Sequence, residues 1–405
     1  MELISRQGYL RWLDRWRDQA IIKAVTGIRR CGKSTLLTMF AQRLEQSGVP
    51  PERIIQLNLE DLTLAQLAGD HLALYQFIHE RLQPDAMNYV FIDEVQQVPL
   101  FERLLDGLFI LPNVDLYVTG SNTDLLGGKL ATLLTGRYVE LSLLPLSFAE
   151  YASVERTGSD GRPLSRDAVF ATYLSEGGFP FVARLRTATE RREYLSSVTD
   201  TVLLRDVVER LNVANVGILR NVTEFVLDSI GAPVSPKSIA DTMTSRGRKI
   251  SSITVDSYLT GLAEAFLLYP VKRYDVKGKR LLERLEKHYA VDTGLRWALT
   301  GRSGDTGRQL ENIVYLELRR RGWSVTTGKV DKKEIDFVAT NRTDTEYFQV
   351  SETVLAPETL ARELAPLRAV PDFFSRTLLT LDRVLPVPGD GIKVMNVVDW
   401  LGDVA

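Results

Sequence analysis

At 405 residues and 44% hydrophobic, the chain can bury two or three separate cores, and a multidomain protein is expected. Fifty Lys plus Arg against 52 Asp plus Glu leave a formal charge of -2, which excludes a globally basic protein, so any surface for a polyanion has to be local. The single cysteine, Cys31, rules out an intramolecular disulfide or a cysteine-built zinc site, and no stretch approaches the roughly 18 uninterrupted apolar residues of a membrane-spanning helix.

The opening MELISRQGYLRW lacks a basic start followed by an apolar run, so a cytoplasmic location is expected. AIIKAVTG then reads as a strand, and STLLTMFAQRLEQSG as a helix with apolar residues at Leu36, Leu37, Phe40 and Leu44 and a stop at Gly48. Between them, Gly27 to Ser34 spell GIRRCGKS and satisfy GxxxxGK[ST]. Strand, glycine loop and helix together aim backbone N–H groups and a helix dipole at phosphate oxygens. The expected nucleotide-contacting set is Gly27, Arg30, Gly32, Lys33, Ser34 and Thr35, with Lys33 on the β and γ phosphates of ATP and Ser34 on Mg2+. Cys31 reads as a small loop residue.

RIIQLNLED, YVFIDE and VDLYVTGSN are further strands separated by helical stretches, which predicts a parallel α/β sheet. YVFIDE ends in Asp93, suited to the magnesium shell, and Glu94, suited to polarising the attacking water. By itself such a strand would read as one that happens to end in two acids; the upstream glycine loop favours the catalytic reading. Ser121 and Asn122 follow the last of these strands, where a polar side chain either senses the γ-phosphate or makes a turn. Arg137 is a candidate contact to the γ-phosphate or to a neighbouring subunit's nucleotide, with Arg29, Arg30 and Arg205 weaker ones; the competing reading is solvated arginines.

From Leu146 the pattern turns helical, interrupted by the loop RTGSDGRPLSRD and the turn EGGFP, whose glycines permit positive φ. PKSIADTMTSRG and SSITVDSYLTGLAEAF read as two helices of a helix-turn-helix, with Ile239, Ala240 and Met243 inward on one and Ile253, Tyr258, Leu259 and Leu262 on the other. LLYPVKRYDVKGKRLLERLEKHYAVD reads as a basic wing. Residues 251–271 hold no Lys or Arg, so base readout through the second helix is not expected. Arg246, Arg248, Lys249, Lys272, Arg273, Lys277, Lys279, Arg280, Arg284 and Lys287 flank it and suit phosphate contacts to DNA. A packing module with solvated charges is the competing reading.

In the last hundred residues, GRQLENIVYLELRRRGW is an amphipathic helix, WSVTTG, KEIDFVAT and TEYFQVSETV are three strands, APETLARELAPLRAV is a helix, and RTLLTLDR and IKVMNVVDW look extended. That order resembles the PD-(D/E)XK nuclease core, with Glu311, Asp336 and Gln349 in the motif's places. Ser351 stands where the motif has its lysine, leaving Lys332 or Lys333 to swing in. Two carboxylates and a neutral amide make a poor hard-cation site, so a retained fold without cleavage is expected.

GIRRCGKSTLL, YVFIDEVQ, LYVTGSN, LTGRYVELSLLPLSF, EIDFVA and FQVS together resemble a bacterial and archaeal family of AAA-type predicted ATPases with a C-terminal PD-(D/E)XK nuclease-like domain. The resemblance implies an α/β P-loop ATPase core over 1–145, a helical lid over 146–215, a winged-helix-like module over 216–300 and a degenerate nuclease-like domain over 301–405. It also implies a homo-oligomer, a hexamer being one such form, in which subunits lend an arginine across the interface. ATP and Mg2+ are the expected cofactors and DNA the expected partner; a nucleotide-controlled switch for a protein partner and an ATP-gated nuclease are the alternatives.

Overall fold

The computed structural model describes residues 3–121, 136–154, 162–301 and 305–403, with 283–285 described by their backbone alone. Two compact units divide the chain: Met1–Leu143 with Glu264–Phe266, and Leu144–Ala263 with Leu267–Ala405. Among the described residues no helix is long and apolar enough to cross a membrane.

In the first unit, β1 (Ile22–Thr26) and β3 (Asn88–Asp93) are buried at every residue, as strands covered on both faces must be. With β2 (Ile54–Asn58), β4 (Val114–Gly120) and β5 (Tyr138–Ser142) they form one parallel sheet in the order β2-β3-β4-β1-β5. The first four are the strands expected from the sequence; β5, inside LTGRYVELSLLPLSF, was not among them. One face packs Ile22, Val90, Ile92, Leu104, Leu105, Leu116 and Val118 together, and elsewhere Phe91 and Tyr117 stack while Phe40 meets Phe91 edge-on. Because β4 lies between β1 and β3, three carboxyl ends sit side by side, the place where ligands bind in open α/β sheets.

Toward the opposite end of the sheet, Lys23 is wholly buried and paired with Asp115. Asp115 also accepts from the Tyr117 hydroxyl at 2.8 Å and from the Asp18 N–H at 2.9 Å, and Lys23 donates to the Gln19 carbonyl at 2.8 Å. A buried charge pair is tolerated when its remaining hydrogen-bonding positions are filled in this way.

The second unit begins with helices Phe148–Ala152, Arg166–Glu176 and Ala188–Thr201, the last continuing as a π-helical stretch over Val202–Val208. The EGGFP turn is explained here. Gly177 has φ +80°, and a Cβ on it would lie 1.8 Å from Asp292 Oδ1. Asp292 caps helix Thr293–Thr300, accepting from the N–H of Gly294 at 2.8 Å and of Gly178 at 2.6 Å. Burial pushes its carboxyl up to about 7 against those bonds.

Helices Val216–Asp228, Pro236–Ser245 and Ser252–Glu264 follow, then the hairpin β7 (Leu268–Asp275) and β8 (Arg280–Ala290), with the short β6 (Pro233–Val234) paired to β8. Ile239, Ala240, Met243, Tyr258, Leu259 and Leu262 are buried as their spacing predicts, whereas Ile253 is 81% exposed and Val255 takes the inward place. The helix starts at Ser252, so Ile253 lies in its first turn.

β9 (Ser324–Val330), β10 (Lys333–Thr340), β11 (Thr345–Ser351), β12 (Ser375–Thr380) and β13 (Lys393–Asn396) complete an eight-stranded sheet, ordered β13-β12-β11-β10-β9-β7-β8-β6. β7 pairs in parallel with β9, so the boundary expected near residue 300 runs through a single sheet. Of IKVMNVVDW only the first part is extended. Asn396 Oδ1 accepts from the N–H of Val398 and Asp399, and that cap starts helix Val397–Gly402.

Candidate functional site

The phosphate loop leaves β1 at Gly27 and enters helix Lys33–Gln46. Gly27 has φ +146°, and a Cβ there would lie 2.2 Å from the Leu143 carbonyl oxygen; Gly32 has φ +104° and Arg30 φ +67°. Only glycine meets both demands at position 27. Cys31 is buried in the loop with its Sγ 3.2 Å from that Cβ position, and burial pushes its thiol up.

Lys33 is 4% exposed; its Nζ donates to the carbonyls of Gly27 at 3.0 Å and Ile28 at 3.4 Å and lies 3.4 Å from Glu94 Oε1. The Ser34 hydroxyl hydrogen-bonds the Asp93 carboxylate, bringing the two expected magnesium-binding groups into contact. Thr35 is exposed in the first turn of the helix. Arg29 pairs with Glu60 at 3.4 Å.

Asp93 ends β3, and Glu94 follows it in a left-handed conformation, φ +55°, sparsely populated for a residue with a side chain. Two hydrogen bonds from β4 hold this turn. The Glu94 N–H donates to Thr119 Oγ1 at 2.8 Å, and the Thr119 hydroxyl donates to Asp93 Oδ1 at 2.6 Å. Burial pushes the Asp93 carboxyl above its ordinary value, against the hydrogen bonds from Ser34 and Thr119. Burial acts on Glu94 in the same direction, but Lys33, Gln96, Arg29 and Ser121 outweigh it, and its carboxyl lies below the usual range.

Thr119 and Gln96 are absent from the sequence reading. The signal for Thr119 is a hydroxyl near the end of an otherwise apolar run, and its meaning depends on the register: Ile92 pairs with Val118, which sets Thr119 beside Asp93. Ser121, wholly buried, lies 3.3 Å from Gln96 Nε2. Asn122 lies outside the described residues.

Arg137 does not lie at the γ-phosphate of its own loop, which corrects that half of its expected role. β1 and β5 run parallel with Ile22 opposite Tyr138 and Thr26 opposite Ser142, so Arg137 precedes β5 at the end of the sheet away from the phosphate loop. There it pairs with Asp106 and lies over the Phe109 ring. At about 3.3 Å per strand residue, the length of β1 separates it from a triphosphate on its own loop. Arg205 is exposed on the π-helical stretch of the second unit.

In that unit, Glu311 on helix Thr306–Arg320, Asp336 on β10 and Gln349 on β11 do come together. Val350 N–H donates to Asp336 Oδ2 at 2.9 Å, Gln349 Oε1 accepts from the Asp336 N–H at 3.4 Å, and Gln349 Nε2 donates to Glu363 at 3.0 Å. The cation among them comes from neither expected lysine. Lys333 turns to the Ala365 carbonyl at 3.3 Å, Lys332 is exposed, and Ser351 bonds the Thr353 carbonyl. Instead Lys287 from β8, 3% exposed, reaches Glu311 at 2.9 Å and Glu334 at 2.7 Å, while the Tyr289 hydroxyl donates to the same Glu311 oxygen. Gly231 supplies the room: a Cβ on it would lie 3.3 Å from Glu311 Oε2. Burial disfavours the charge on Lys287, but Glu311, Asp336 and Glu334 outweigh it and raise its affinity for the proton. Burial and Glu311 push the Asp336 carboxyl well up, against Lys287.

Lys287 is therefore withdrawn from the basic surface. Arg273 lies 3.8 Å from Glu334, and Lys277 pairs with Asp331 at 2.6 Å. Arg246, Arg248, Lys249, Lys272, Lys279 and Arg280 are exposed.

Comparison with known proteins agrees with the first unit's fold. Residues 19–152 match a family model described as an AAA domain, and residues 167–306 match one described as a domain of unknown function. The second match spans the expected boundaries at 215 and 300 and stops short of β9 to β13, so the nuclease-like reading rests on the residues alone. An uncharacterized protein of Haemophilus influenzae is 38% identical over 98% of this chain and 98% of its own length. An uncharacterized protein of Methanocaldococcus jannaschii is 29% identical over 75% of this chain and 67% of its own. Among solved structures, a Walker-type ATPase of Pyrococcus abyssi aligns over 74% of this chain and 96% of its own, with TM-score 0.51 and 14% identity. Full-length likeness places the chain in the family of the Haemophilus protein, and within it residues 19–152, with a phosphate loop after β1 and paired acids after β3, carry an AAA domain.

Proposed function

We propose that the chain is a cytoplasmic, magnesium-dependent ATPase whose second unit holds DNA by its phosphate backbone, without reading bases, and whose hydrolysis remodels that DNA. The ATPase reading is carried by one observation: Lys33, Ser34, Asp93 and Glu94 converge at neighbouring strand ends. The residues fit a metal-bound triphosphate, because the loop around Gly27 admits no side chain and the Ser34 hydroxyl already meets the Asp93 carboxylate. Bound ATP and magnesium supply the transferred phosphoryl group and the cation that neutralises it. Lys33 would contact the phosphates, Ser34 and Asp93 would hold the metal, and the ionised Glu94 would orient the attacking water and take its proton. Lys33→Ala should abolish ATP binding in a fluorescent-nucleotide titration. Glu94→Gln should keep binding and lose turnover by about two to four orders of magnitude. Undiminished affinity in the first, or normal turnover in the second, refutes the assignment.

Support for DNA comes from the order helix, short strand, two helices and hairpin over 216–290, as in a winged helix, and from the exposed Arg246, Arg248, Lys249, Lys272, Lys279 and Arg280. The test is ATP turnover with and without DNA over a range of salt. A specific observation favours the second reading, a nucleotide switch for a protein partner: Arg273 and Lys277 are engaged by Glu334 and Asp331, and DNA would then leave turnover unchanged. An ATP-gated nuclease finds less support. The ammonium of Lys287 already occupies the carboxylates, and among the described residues no group of three or more His, Cys, Asp or Glu could hold a metal. Assembly into a homo-oligomer, a hexamer being one form, with Arg137 or Arg205 acting across subunits, rests on the family likeness and is measured by light scattering with and without ATP.

A further inference from the structure

Beyond the Lys33, Ser34, Asp93 and Glu94 set, Gln96 reaches the proposed base, Glu94, directly. Gln96, on the short turn Val95–Gln97, donates from Nε2 to Glu94 Oε2 and lies 3.3 Å from Ser121 Oγ at the end of β4. Its other amide atom, Oε1, is buried and has no hydrogen-bond partner among the described residues. Turning the amide over would set two oxygens against each other at Glu94, so chemistry fixes which end faces the carboxylate. A buried acceptor left unpaired is uncommon and calls for a reason. Here the amide forgoes one bond while its donor is aimed at Glu94, whose own backbone is held in a strained left-handed conformation.

We infer that Gln96 is the positioning residue for Glu94: it holds Oε2 and ties it to Ser121, leaving Oε1 as the carboxylate oxygen that faces the phosphate loop. Lys33 Nζ lies 3.4 Å from that oxygen. When Lys33 contacts phosphate, Oε1 becomes the acceptor for the attacking water, while Gln96 keeps the carboxylate from rotating. Gln96 thereby also links Glu94 to the end of β4.

This inference rests on the ATPase reading, and the test separates the two. Wild type, Lys33→Ala, Gln96→Met, Gln96→Glu, Glu94→Gln and the Gln96→Met/Glu94→Gln double variant are compared for ATP affinity, kcat, KM and the fraction of bound nucleotide recovered as ATP. Gln96→Met keeps the side-chain length and removes the donor; Gln96→Glu replaces the donor by an acceptor and serves if the first does not fold. Either should bind ATP within about threefold of wild type, lose about 10- to 100-fold in kcat with KM little changed, and retain mostly ATP, because part of the general-base contribution is lost. In the Glu94→Gln background the Gln96 change should add less than about twofold. Wild-type kcat in both single variants, a loss of affinity that matches the loss of turnover, or full additivity in the double variant overturns the role of Gln96 while leaving the ATPase intact. A wild type without turnover overturns both.

Discussion

Replacing Lys287 by Met tests what fills the acidic cluster of the second unit. The substitution keeps the length of the side chain and removes the ammonium that Glu311 and Glu334 share at 2.9 and 2.7 Å. Removing one partner of a buried ion pair costs about 3 to 5 kcal/mol, because the other charge stays buried without compensation. The Glu311 side chain is 13% exposed and carries most of that cost, whereas Glu334, 34% exposed, is partly screened by water and places the sum in the lower half of the range. At about 2 to 4 °C per kcal/mol for a unit of this size, the unfolding transition should fall by roughly 6 to 16 °C at pH 8. The sign with pH follows from the acids. Lys287 opposes the upward push of burial on the nearby Asp336 carboxyl, so losing the cation raises that group's folded-state affinity for the proton further, and the destabilisation is full at high pH and shrinks as pH falls and the carboxyl becomes neutral. Calorimetry at pH 8 and pH 5 reads both effects. A variant melting within about 2 °C of wild type at pH 8, or an equal gap at the two pH values, would refute a paired Lys287.

Other consequences are open to direct measurement. Gly27→Ala sets a methyl 2.2 Å from the Leu143 carbonyl oxygen, so the loop must shift, and ATP affinity should fall at least about tenfold, or 1.4 kcal/mol; unchanged affinity contradicts the close approach. Asp292, held near 7 against an ordinary value of 3.8, should contribute stability below pH 4 that is lost as pH rises through 7, at most about 4 kcal/mol. Urea titrations of wild type and Asp292→Asn across that window should converge if the carboxyl is responsible, and parallel curves speak against it. Lys279→Ala with Arg280→Ala should lower the slope of log K against log salt for DNA by up to about 0.9 per lost phosphate contact. Lys277→Ala, already paired with Asp331, should lower it less; a larger effect of Lys277 would reverse the assignment of contacts.

How much of the site could be read from the chain depends on how local each part is. GIRRCGKS, YVFIDE and the helix after the loop are contiguous segments, and spacing alone gave their elements and the side of the sheet they serve. β5 was missed because YVELS alternates weakly, with only Leu141 buried. Arg137 was misplaced for a related reason: without the pairing of β5 to β1, nothing told which end of the sheet it marks. Asn396 turned an apparent strand into a helix through a cap two residues long, too short for periodicity to register.

A phosphate loop, a paired-acid strand end and a parallel α/β sheet are legible in the chain because each follows from residue types at short, fixed spacing. Tertiary structure decided what surrounds them. Thr119 and Ser121 meet Asp93 and Gln96 only because β4 lies beside β3 in one register. Lys287 reaches Glu311 and Glu334 only because β7 pairs with β9 and carries β8 with it. Periodicity fixes the face on which a side chain lies, but its neighbour on that face is set by strand order and register, and these are settled by packing between segments far apart in the chain.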